Sequence, residues 1–256
     1  MGTGGLRYYL LVKNALALLL CAITTLAQAP VRVEYDCAPQ DIEAFGLTCS
    51  PEDPCAIFLE LSSVDAVGAR LFLSGNLHAA STTLYAVLLV SEDGGKTWTE
   101  PLKRLRSAAY EQIQFIDFAS GWISGQMIEP LPRDPFLLLT TDGGKTWRQR
   151  PLFEESRVGS IAQFWFDSRT SGELVFDRSQ GGTTRHELYE SMTGGESWSV
   201  KEVTTTPIRL KKVRPKEEAT LRVQADARSK TYRIERRGGD KWETLASFVI
   251  RVAECK

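Results

Sequence analysis

The chain reads as all-β and modular, a set of about four blades of four short strands each, on three observations. A Gly-Gly turn carrying a tryptophan recurs four times at near-constant spacing. Apolar runs of strand length flank every copy. Beyond the first 27 residues, no stretch shows a helical period that competes with this pattern.

The repeat comes first. Ser91, Asp93, Gly95 and Trp98 of the first copy recur as Thr140, Asp142, Gly144 and Trp147. The third copy keeps Ser191, Gly195 and Trp198 but has Thr193 at the aspartate position, and the fourth keeps Gly239 and Trp242. The tryptophans fall 49, 51 and 44 residues apart. Paired glycines between strands form a hairpin, because glycine enters positive φ without steric cost. The aspartate and the preceding Ser or Thr can bind backbone N–H groups that a tight turn leaves unpaired. The tryptophan offers apolar mass for the turn to pack on.

Strand candidates precede each turn at residues 84–90, 136–139, 188–189 and 232–234. Two more lie upstream in each repeat: 57–61 and 70–74, 113–118 and 121–125, 161–166 and 173–176, 208–213 and 221–224. A fourth follows the turn, as at 200–203 and 244–248. Four short strands in 45–50 residues is the arithmetic of a β-propeller blade.

The ends must be joined to close such a ring. Residues 31–35 (VRVEY) and 248–252 (FVIRV) both read as strands, and either can complete a blade at the opposite terminus. An open arc that closes by dimerising is the other possibility, so monomer and dimer both stand. Cys37, Cys49, Cys55 and Cys255 allow three pairings. The expected one joins Cys49 to Cys55 and Cys37 to Cys255. Zinc is disfavoured, since there is no C-x-x-C and both histidines lie far from the cysteines.

Residues 1–27 have the layout of a secretory leader: Arg7 and Lys13, then an apolar run over 15–26, then small residues. Cleavage is expected after Ala27, leaving 29 bases against 32 acids, no membrane span, and a secreted or periplasmic protein. The expected organisation is a leader (1–27), an N-terminal segment with a closing strand and a cysteine loop (28–55), and the repeats (56–256).

The turn resembles the Asp-box of the BNR repeat, S/T-x-D-x-G-x-x-W, found in sialidases, sortilin-type receptors and exported propellers. The stretch from Phe115 to Trp122 (F-x-D-x-x-x-G-W), then S-G and L-x-T-T-D-G-G-K-T-W, resembles the photosystem II assembly and stability factors. That resemblance implies an exported propeller that binds a partner, with Asp-boxes on the blade periphery, away from ligands.

Chemistry is harder to find. A formal charge of −1 over 256 residues argues against nucleic acid as a partner. His78 and His186 read as surface loop residues, and no nucleophile elbow, P-loop or dinucleotide fingerprint occurs. Sialidase activity would by resemblance need an F/Y-R-I-P signature, whereas Tyr232, Arg233 and Ile234 are followed by Glu235. Basic runs at 103–106 and 211–216, and a proline-rich excursion at 126–135, are the candidate contact surfaces. The sequence therefore points to a scaffold without catalytic residues, cofactor or metal that binds a protein or glycan. A carbohydrate-active hydrolase of sialidase or glycosidase type is the runner-up.

Overall fold

A computed structural model describes residues 28–128, 131–212 and 220–256. It is nearly all β. Sheet I contains β1 (Cys55–Val67), β2 (Arg70–His78), β3 (Thr83–Ser91) and β4 (Leu105–Arg106). Sheet II contains β5 (Ala108–Phe115), β6 (Gly121–Met127), β7 (Arg133–Thr140) and β8 (Arg148–Pro151). Sheet III contains β9 (Ser160–Phe166), β10 (Gly172–Asp177), β11 (His186–Ser191) and β12 (Ser199–Thr204). Sheet IV has β13 (Leu221–Asp226), β14 (Thr231–Gly238) and β15 (Lys241–Val249), and β16 (Arg251–Cys255) crosses to the free side of β1. All pairings between these strands are antiparallel, as meandering blades require. A small propeller of four blade-like sheets results.

Apolar seams hold three of the joints. Phe72 of sheet I meets Phe115 of sheet II with ring centres 4.3 Å apart. Trp122 of sheet II stacks on Phe166 of sheet III at 3.8 Å. Trp98 of sheet I meets Phe248 of sheet IV edge-on at 5.1 Å, inside a core that includes Ile57, Leu59, Leu73 and Ile234. The segment that leads from sheet III toward sheet IV is held to β9 by polar bonds. Gln163 Nε2 donates to the Ile208 carbonyl at 3.3 Å, and Leu210 N–H donates to Gln163 Oε1 at 3.4 Å.

Polar side chains also rivet the other sheets. Gln112 and Gln114 of β5 each pair with one residue of β9 through both amide atoms, Phe164 and Phe166 respectively. Asn76 of β2 does the same to Tyr110 of β5. An amide with one donor and one acceptor group thus imitates a strand's hydrogen-bond edge across the gap.

The ends interlock reciprocally. β16 extends sheet I, with Cys55 opposite Cys255, while Val31 bridges in parallel to Phe248 at the outer edge of sheet IV. The Cys37–Cys255 disulfide ties the termini across 218 residues, and Cys49–Cys55 closes a short loop. Of the two expected terminal strands, 31–35 contributes only the Val31 bridge. The 248–252 run breaks at Ile250, whose carbonyl accepts from Leu59 N–H.

Three other sequence expectations change. Residues 208–212 form no strand, because Pro207 removes a donor and Gln163 takes the next carbonyl and N–H; residue 213 lies outside the described residues. Sheet IV therefore has three strands of its own. A one-and-a-half-turn helix, α1 (Pro39–Ala44), stands where none was read. It carries Asp41, which accepts hydrogen bonds from Tyr35 and Tyr85, both at 2.8 Å, and so pins the N-terminal segment to β3.

Candidate functional site

The repeated turns close on themselves. In the first, Ser91 Oγ accepts from Gly95 N–H and donates to Asp93, whose carboxylate takes the N–H groups of Lys96 and Thr97 and the Thr97 hydroxyl. Thr140, Asp142, Gly144 and Thr146 repeat every one of these bonds. Trp98 and Trp147 each donate from Nε1 to the carbonyl of the turn's second glycine, Gly95 or Gly144. The third turn substitutes hydroxyls: Thr193 accepts from Ser197 N–H, and Ser191 accepts from Gly195 N–H. In the fourth, at Gly239, Trp242 instead lies under the Arg222 guanidinium, 3.9 Å from ring centre to Cζ. The Thr146 hydroxyl and N–H, with Thr140, hold Asp142 down to a pKa of about 2, and Asp93 is likewise lowered by Thr97 first. These aspartates spend their lone pairs on their own turns, a structural use of charge.

Where the sheets converge there is a pit. A cavity of about 280 Å³ is lined by Ser62 and Ser63 of β1, Gln112 of β5, Trp165 of β9, Lys212, and Arg222 of β13. Two irregularities in pairing place this lining. Register shifts between Leu61 and Ser63, and between Tyr110 and Ile113, insert Ser62 and the Glu111–Gln112 pair as bulges. Bulges re-aim side chains. Arg222 is bound to buried Glu235 at 2.6 Å, and Lys212 Nζ lies 3.5 Å from Gln112 Oε1. Among the described lining residues there is no carboxylate, so the pit offers hydroxyl, amide, aromatic and cationic groups.

The histidines and basic runs are placed differently from expectation. His186 is buried at the start of β11, 3.7 Å from Asp177, and is not a surface residue. His78 ends β2 and shares a ring-nitrogen contact of 2.9 Å with the Ala79 carbonyl. Within 103–106, Arg104 is consumed by Glu100 and the Glu34 carbonyl, and Arg106 lies over the Phe45 ring. They serve packing. Residues 213–216 of the second basic run, and 129–130 of the proline-rich excursion, lie outside the described residues.

One cluster has the ingredients of a glycosidase. Buried Glu187 accepts from Tyr189 Oη at 2.7 Å and pairs with Arg178 and Arg185. Burial opposes ionisation of Glu187, but Tyr189 and the two arginines outweigh it and keep its carboxyl below the usual range. Burial, then Glu187, pushes the Tyr189 hydroxyl up to about 12, the wrong direction for a nucleophile. Arg185, Glu187 and Tyr189 alternate along one stretch of sequence, a signal the sequence reading passed over, and Arg178 joins them when β10 and β11 pair.

No protein family model matches the chain, and no curated protein does. Solved structures resemble it at low identity. YCF48 bound to a D1 peptide is 22% identical over 84% of this chain and 60% of that one, with a TM-score of 0.39. YCF48 from Cyanidioschyzon merolae is 18% identical over 73% of this chain and 56% of that one, with a TM-score of 0.39. An α-L-arabinofuranosidase from Fusarium graminearum is 13% identical over 85% of this chain and 66% of that one, with a TM-score of 0.40. The chain thus spans about three fifths of the length of the YCF48 structures. Its fold class stands on its own four sheets.

Proposed function

We propose that the protein is an exported, non-enzymatic propeller scaffold whose axial pit receives part of a protein partner. Residues 1–27 are its leader, 28–55 the closing segment, 56–256 the blades, and the repeated turns are Asp-boxes. The composition of the pit carries this reading. Every sheet contributes to it, and its polar groups suit hydrogen bonding to a peptide better than acid–base chemistry, which on a glycoside requires two carboxylates. Two disulfides favour an oxidising compartment.

A photo-crosslinker at Ser62 tests the reading, with a second at Lys96 on an outer turn as control. A specific partner captured from Ser62 alone, and lost with Trp165→Ala, is expected. Capture from neither position, with turnover of chromogenic glycosides that depends on Glu187, would replace the scaffold by the hydrolase.

A further inference from the structure

Sheet IV ends toward the axis in an open edge. Its order is β13-β14-β15, and Val31 bridges to Phe248 on the far side of β15, so β13 is the strand left bare. The three other sheets have four strands or more. Residues 208–212 stand where the repeat calls for an inner strand, but Gln163 of β9 holds them, and among the described residues none pairs with β13. Register says which backbone groups are left over. Arg237 N–H donates to the Thr220 carbonyl at 2.9 Å, so these two make a hydrogen-bonded pair. Such pairs alternate along an antiparallel ladder. Arg222 opposite Glu235, and Gln224 opposite Arg233, therefore turn their backbone groups to β14. Leu221 and Val223 turn theirs the other way, where no described residue receives them. Leu221, Arg222 and Val223 all line the axial pit. Consecutive side chains of a strand point to opposite faces, so a cavity that touches all three runs along the strand's edge.

We propose that this edge takes an extended segment of the partner protein as a fourth, inner strand of sheet IV, a proposal that rests on the pit being the partner's site. A bare edge is a template for pairing, and strand addition draws its affinity from main-chain bonds. Placed at the axis, the edge is screened from the edges of other copies, the usual hazard of an unpaired strand. The occupant's chemistry follows from the walls. The pit, about 280 Å³, is smaller than the ~300–1,000 Å³ of a drug-sized pocket, so it admits a short run of main chain with small side chains. The residue opposite the Val223 carbonyl must supply an N–H, which excludes proline there. Lys212 and Arg222 line the pit with no carboxylate among the described lining residues, so the segment is uncharged or acidic and not basic.

Hydrogen exchange read amide by amide tests the edge before any ligand is added. In the free protein the Leu221 and Val223 amides should exchange at least about tenfold faster than those of Arg222 and Gln224, which bond to β14. Equal protection overturns the site, because the edge would already be paired. A phage-displayed library of random heptapeptides, panned on the native protein, supplies the probe. A selected peptide that Trp165→Ala releases should slow the Leu221 and Val223 amides about tenfold or more, and those of Arg222 and Gln224 much less. Val223→Pro removes the N–H on the pit side and leaves the β14 ladder intact, so it should weaken that peptide about tenfold. Exchange in the unmutated chain carries the test if this variant misfolds. A peptide that depends on Trp165 but leaves both amides exchanging as before overturns the added strand and leaves the pit as the partner's site. If no selected peptide depends on Trp165, the pit reading falls and the strand with it.

Discussion

Asp142 accepts bonds from Thr140, Lys145 and Thr146, all within its own turn. Its carboxyl is depressed to about 2, led by the Thr146 hydroxyl, against about 3.9 in an unfolded chain. A depressed pKa contributes stability above the unfolded value and loses it as pH falls through the folded one. Asp142→Asn should therefore be less stable at neutral pH, with a shallower fall between about pH 4 and pH 2 than the native protein. Circular dichroism of acid titrations would show this. Trp122 and Trp147 make a second contrast. Trp122 is 3% exposed, stacked on Phe166 and bonded to the Gly194 carbonyl, whereas Trp147 is half-buried. Trp122→Ala should cost about 3–5 kcal/mol and Trp147→Ala about half as much, by chemical denaturation. The repeated turn made Trp147 conspicuous in the sequence, yet a tryptophan outside the turn carries more of the packing.

At the scale of the element, the joints between sheets depend on side chains that act as strand edges. Gln114 satisfies both the N–H and the carbonyl of Phe166, at 2.9 and 2.8 Å. Gln114→Leu would leave both backbone groups unpaired in a buried seam and should cost about 2–4 kcal/mol, while Gln114→Glu keeps the acceptor and loses the donor. Hydrogen exchange at the Phe166 amide is the direct readout. The repeated turns are equally exacting about backbone. Gly144 has φ +82°, and a Cβ there would meet the Phe72 ring at 2.7 Å, so Gly144→Ala should cost about 1–3 kcal/mol in strain. Hairpins such as these were legible because the side-chain bonds of the Ser or Thr, the Asp and the Trp that define them all fall within eight consecutive residues. The glutamine links were not, because Gln114 and Phe166 are 52 residues apart.

The whole molecule is held as a ring by reciprocal ends. Chain-entropy arguments assign a disulfide that spans 218 residues about 5 kcal/mol, and native disulfides typically deliver roughly 2–5 kcal/mol. Cys37→Ser with Cys255→Ser should therefore lower the thermal midpoint by several degrees more than Cys49→Ser with Cys55→Ser, whose loop is only 6 residues. Equal shifts would mean that β16 and the Val31 bridge hold the ends without the covalent tie. The ends hold sheet IV to sheet I, through the Val31 bridge to Phe248 and the pairing of β16 with β1. Loss of the tie should expose sheet IV to proteolysis first.

The amino-acid sequence by itself determined the blades, their number and their turns, since period and local hydrogen bonding are written in contiguous residues. It also pointed to Cys37 and Cys255 as a tie, because a ring needs one at its ends. Tertiary structure alone decided which blade lacks an inner strand, where Gln163 and Pro207 redirect residues 208–210, and which termini cross. It alone brought Ser62, Gln112, Trp165 and Arg222 to one pit. The physical reason is that these groups sit at bulges or in adjoining sheets. Their surroundings are set by register and by the order of sheets around the axis, neither of which any short window of sequence contains.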